Sequence, residues 1–275
     1  MKSLRICLVA VFACCLLSAC LQQEKVIKLN ADGSGTIEET LVMNKEVVAQ
    51  MKQMAGGFGA LAQGKGAATS FEVMDEKKLR DAAESMGQGV TFVSAKRISN
   101  STGEGFTATY AFTDINKLKV DQNPGQNLPG ANNPLMKTNK AKKEPVSFDF
   151  VKGSPASLTV KLPQPKNSDL PKERPQKPAG GEEMAMMMMQ QMFKGMKVSL
   201  VIEVAGRIVQ TNAEYRDASR VTLMEMDFDK VLTNPEKFKA LSQAQPKTIE
   251  EAKTLIKGTD GIKAETQPAV TVKFQ

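Results

Sequence analysis

Few side chains in this 275-residue chain are placed to do chemistry. Cys20 closes the run Leu17-Ser18-Ala19-Cys20, where a nucleophilic sulfur follows two small residues that let the backbone lie extended. Met184, Met186, Met187, Met188, Met189 and Met192 crowd one short segment with thioethers, soft ligands suited to Cu(I). Histidine is absent throughout. That single absence removes the Ser-His and Cys-His nucleophile arrangements and histidine-ligated zinc. Carboxylate or lysine catalysis is left with no motif to mark it, so the expectation is a chain that is not an enzyme and carries no cofactor.

The context of Cys20 is that of an export signal. Lys2 and Arg5 give a basic start, and Ile6 to Leu17 is a run of twelve apolar residues. Such a run is too short for a membrane-spanning helix, which needs about 20 residues. Leu17 sits badly for cleavage by an ordinary signal peptidase, which wants a small residue there. The four residues resemble the bacterial lipobox instead. That resemblance implies a diacylglycerol on the Cys20 sulfur, cleavage before it (residues 1–19 leaving as signal peptide) and acylation of the new amine. Two or three acyl chains, at about 0.8 kcal/mol per buried methylene, anchor firmly where one would not. Leu21 in place of the aspartate used for retention implies the outer membrane, facing the periplasm, in a host with two membranes.

Removal of residues 1–19 leaves 35 Lys+Arg against 30 Asp+Glu, and Cys20 as the one remaining cysteine. No disulfide framework can form, and 256 residues are enough to bury a core without one. Residues 117–178 hold twelve Lys/Arg and five Asp/Glu. Concentrated charge of this kind could meet anionic lipids or polymers, or simply keep a loop solvated. No nucleic acid partner is expected of an anchored, exported protein.

The positioning elements follow from periodicity and punctuation. Four residues, Leu21 to Glu24, are read as a tether of about 14 Å before a strand over 25–30. A turn over 30–35 and a strand over 36–43 complete a hairpin. In that turn Asn30, Asp32 and Ser34 imitate the first three ligand positions of an EF-hand, but the twelfth, which needs a glutamate, is Leu41. Asn44 and Asp75 each cap a helix, the first stapled by Met43 and Val48 and the second closed by Gly87. Strands are expected over 89–99, 105–113, 145–151 and 156–162. Three antiparallel strands over 197–205, 207–212 and 220–228, turning first at Gly206, come next, then helices from Asn234-Pro235 and from the Thr248/Glu251 capping box. A strand over 270–274 ends the chain. Residues 120–143 read as disordered or a long loop and 163–181 as a proline-rich linker. The order predicts a single α+β domain over 20–275, with a mostly antiparallel sheet, helices on one face and the basic loops outside. Lobes over 25–118 and 145–275 are compatible with those linkers.

The helix expected over 182–195 spreads its methionines and Phe193 over about 200°, except Met187, which falls on the polar side with Gln190, Gln191 and Lys194. Three readings stand: an adaptable core helix, a plastic apolar face that grips a lipid, peptide or protein, and a Cu(I) site. The Asp32-Gly33-Ser34-Gly35 turn, this helix and the stretch Gly206 to Ala213 are similar to an uncharacterised family of bacterial lipoproteins. The lipobox and the early glycine turn also resemble the LppM-type lipoproteins, whose soluble domain is associated with lipid binding. The expectation is a noncatalytic envelope lipoprotein, membrane-bound through Cys20, with an apolar, lipid or protein partner beside the methionine helix. A periplasmic Cu(I) binder is the alternative, and a carboxylate or lysine hydrolase would need a cleft of converging ionisable groups.

Overall fold

The computed structural model describes residues 21–61, 71–101, 103–121, 144–166, 190 and 193–275. It is an α+β fold of two sheets around one core. Cys20, the methionines of 184–192 and most of the two linkers lie outside the described residues.

The first strand, β1 (Leu21–Leu29), starts at once. Leu21 to Glu24 are not a tether but the first half of this strand, paired residue for residue with β2 (Gly35–Asn44) from Leu21 opposite Met43. Gln22 to Leu29 also pair, in parallel, with β7 (Lys197–Val204). Leu21, Ile27 and Leu29 are buried on the inner face. Gln22, Glu24 and Lys28 alternate to the outer face, as the two-residue pleat requires. Two glutamines, a glutamate and a lysine at its start hide the strand from periodicity.

The hairpin turn forms as the sequence predicts. Asp32 Oδ1 accepts from the Ser34 backbone N at 2.9 Å and from Ser34 Oγ at 2.6 Å, and Gly33 takes a φ of 92°. The carboxylate is thus spent inside the turn. β4 (Gly103–Phe112) pairs with β2, and β3 (Thr91–Ser99) is the edge beyond it. On the other side β9 (Arg220–Asp227) pairs with β7, and β10 (Ile262–Ala264) with β9. The order β10-β9-β7-β1-β2-β4-β3 is antiparallel except at β1–β7.

The second sheet has the order β5-β6-β11-β8. It joins the expected hairpin of β5 (Ser147–Val151) and β6 (Ala156–Lys161) to β11 (Ala269–Phe274) and β8 (Ile208–Thr211). The three strands expected to run consecutively after residue 197 therefore part company: β7 and β9 stay in the large sheet while β8 crosses to the small one. Gly206, at φ 99°, makes that corner, and Arg207 exchanges both backbone hydrogen bonds with Gln275. Strands from both halves of the chain meet in β1–β7, and Ile27, Tyr110, Leu158, Val272 and Phe274 belong to one buried cluster.

Helix α1 (Lys45–Leu61) begins with Asn44 Oδ1 accepting from Glu46 N, above the buried pair Met43 and Val48. Helix α2 (Glu76–Ser85) is capped by Asp75 and buries Leu79 and Ala83. Three short helices follow, α3 (Phe228–Leu232), α4 (Pro235–Gln243) and α5 (Ile249–Lys257). Phe228 opens α3 instead of ending β9. Val120, expected in a loop, is buried and exchanges backbone hydrogen bonds with Val146.

Candidate functional site

The outer face of the large sheet near the start of β1 holds a groove of about 710 Å³. Its floor is laid by alternation along four strands: Gln22 and Glu24 of β1, Thr40 and Val42 of β2, Ser199 and Val201 of β7, and Thr222 of β9. Each lies on the face opposite its buried neighbours in sequence. Its wall is the segment Glu214 to Asp217. Buried Glu265 secures that segment, its Oε1 accepting from the backbone N of Glu214 at 2.7 Å and of Tyr215 at 2.9 Å.

Ionisable groups ring the groove, and they are matched. Lys197, Arg216, Arg220 and Lys263 face Glu24, Glu214, Asp217 and Glu225. Glu225 sits between Lys263 at 3.1 Å and Lys197 at 3.7 Å. Arg220 reaches Glu24 at 3.3 Å and Glu203 at 3.7 Å. Glu214 accepts from Lys257 Nζ at 2.7 Å, which raises the lysine's proton affinity. Burial, with Glu214 beside it, pushes the Tyr215 phenol up. Within the groove Glu225 is thus paired with Lys197 and Lys263, and Glu24 with Arg220, beside the Tyr215 phenol. The groove's lining offers hydrogen bonds and charges of both signs, with polar and apolar surface in about equal measure.

Directly behind the groove floor, on the inner face, lies a buried polar cluster. Gln23 Nε2 donates to Glu39 Oε1 at 3.0 Å, and Lys25 Nζ stands 3.6 Å from Glu39 Oε2. Gln23 Oε1 and the Tyr110 hydroxyl have no hydrogen-bond partner among the described residues. Burial, and then the Glu39 carboxylate, push the Tyr110 phenol up.

Of the residues singled out by sequence, Cys20 lies one position before buried Leu21, outside the described residues. The methionine segment is described only at Gln190 and from Phe193, whose ring stacks on Phe228 at 4.6 Å. Among the described residues no group of three His, Cys, Asp or Glu is placed to hold a metal, and no helix is long and apolar enough to cross a membrane. Sequence periodicity does not reveal the groove residues, because it gives Gln22 and Glu24 to a tether. Their alternation with Leu21, Gln23 and Lys25 was the available signal.

No protein-family model matches the chain, and no curated protein sequence matches it. Among solved structures, the NMR structure of the folded domain of LppM from Mycobacterium tuberculosis is similar at 9% identity with a TM-score of 0.31. The match covers 94% of this chain and 92% of that one. That is a distant likeness, too slight to bear on role.

Proposed function

We propose that this chain is a noncatalytic bacterial envelope lipoprotein, a binding module held at a bilayer surface by acyl chains on Cys20. In a host with two membranes the surface is the periplasmic face of the outer one. The observation that carries this reading is the start of β1 at Leu21, fixed between β2 and β7. Lipid at Cys20 would have no slack behind it, so the folded body and its groove would rest against the headgroups. The absence of histidine and the pairing of Glu225 with Lys197 and Lys263, and of Glu24 with Arg220, favour binding over catalysis.

Fractionation of cells producing the native chain and Cys20→Ser tests it. The native protein should sediment with membranes, its intact mass raised by acyl groups and lacking residues 1–19, while Cys20→Ser should lose the anchor. A bare thiol on the membrane-bound protein, or unchanged attachment of Cys20→Ser, ends the proposal.

A further inference from the structure

We infer that the groove over β1, β2, β7 and β9 is a binding site for an uncharged oligosaccharide. This deepens the binding-module reading and rests on it for the absence of turnover.

The chemistry of the lining selects the ligand class by elimination and by fit. A polyanion needs a surplus of cations, but the lining's four cations are equalled in number by its four carboxylates. A fatty ligand needs mostly apolar walls, and here apolar atoms make up only about half of the lining. What the groove has in quantity is hydrogen-bonding capacity of both signs. Thr222 carries a hydroxyl that donates and accepts, Thr40 shares its hydroxyl with Thr107 at 3.1 Å and keeps capacity for a further bond, and exposed Gln22 carries an amide that does both. Glu24 and Arg220, already paired at 3.3 Å, present a fork of acceptors and donors side by side. Adjacent sugar hydroxyls offer the complementary arrangement, each both donor and acceptor, and bonds to ionised groups are the stronger kind. Tyr215 gives the rim one aromatic ring, the amphipathic surface that a sugar's C–H face can cover.

The frame is also built to keep its shape. The floor is four hydrogen-bonded strands and the wall is tied by Glu265, so little ordering is required when a ligand enters. The volume of about 710 Å³ lies within the range of small-ligand clefts, enough for a few linked sugars.

The test uses the mature, acylated protein purified in detergent, with chitotriose and maltotriose as uncharged probes. A sulfated oligosaccharide serves as the anionic comparison. Saturation-transfer NMR should show at least one uncharged probe bound, changing little between about 50 and 500 mM salt, because no net charge is involved. Glu24→Gln and Tyr215→Ala should each weaken binding about tenfold or more. Thr36→Val, on the same sheet face outside the groove, should leave it unchanged, and thermal melts verify that each variant is folded. Absence of binding to both uncharged probes overturns the inference, as does binding that survives Glu24→Gln and Tyr215→Ala, or salt-sensitive capture of the sulfated probe alone. Cleavage of a bound probe would uphold the sugar site and end the noncatalytic reading. Failure to bind sugar by a protein that still carries its acyl mass would sink only the site.

Discussion

Lys25 and Glu39 face each other across β1 and β2 on the inner side of the sheet, 3.6 Å apart and each with a side chain only 9% exposed. Gln23 completes the arrangement through its 3.0 Å bond to Glu39. Burying two charges costs more than their attraction returns unless other hydrogen bonds complete their coordination. Removing one partner strands the other. Glu39→Ala should therefore lower unfolding stability by about 3 kcal/mol or more, by denaturant titration. The double change Lys25→Met with Glu39→Leu should cost clearly less than the summed single changes. Additive losses would show that the pair is not coupled.

Tyr110 sits nearby with its hydroxyl unpartnered among the described residues. A buried hydroxyl without a partner forfeits its hydration and gains nothing, so Tyr110→Phe should be neutral or stabilising by up to about 1 kcal/mol. A loss exceeding about 1 kcal/mol in the same titration would reveal a partner outside the described residues.

Acid should act on the β1–β2 turn in a definite direction. The Ser34 hydroxyl, and then its backbone N–H, hold the Asp32 carboxyl below its ordinary value of 3.8. A depressed acid stabilises the fold fully above that ordinary value and loses the contribution as pH falls through the lower folded one. Ser34→Ala should move the Asp32 titration upward toward 3.8 in carboxyl NMR. No movement would mean that the hydroxyl bond is absent in solution.

What was legible in the sequence was what local rules govern. Asp32-Gly33, the Asp75 and Asn234 caps, and Thr248, which accepts from Glu251 N, stand where turn and cap chemistry put them. What was not legible depends on partners far away. Gln23 reads as tether, and nothing marks Lys25 as buried, because the burial of both is made tolerable by Glu39, which no spacing rule connects to them. β8 read as the middle of a meander because its partner, β11, lies at the other end of the chain. The groove inherits both failures: its floor needs β1 to begin at Leu21, and its wall needs Glu265 under residues 214 and 215.

The corner that sends β8 to the second sheet gives a further prediction. Gly206 has a φ of 99°, and a Cβ there would stand 2.4 Å from the Gln275 backbone oxygen. Both the positive φ and the close approach oppose any side chain. Gly206→Ala should destabilise by about 1–3 kcal/mol, read as a lowered Tm. It should also loosen the Arg207–Gln275 pairing, seen as faster amide exchange at Gln275. An unchanged Tm would mean that the corner is not held as described.

The start of β1 separates a tethered body from an abutting one, and hydrogen exchange distinguishes them. If Leu21 to Glu24 were a free tether, their amides would exchange as fast as those of an unfolded peptide. Flanked by β2 on one side and β7 on the other, the amides of Gln22, Gln23 and Glu24 belong instead to the middle of a seven-stranded ladder. They open only when that ladder opens, at a cost near the top of the range for the whole fold. Exchange at residues 22–24 should therefore be slower than along the edge strand β3, where Val93 is 56% exposed. Gln23→Pro deletes one N–H from the central strand and should unfold this end of the sheet, taking the groove with it. Fast exchange at residues 22–24 in the otherwise folded protein would restore the tether and remove the floor from under the proposed sugar site.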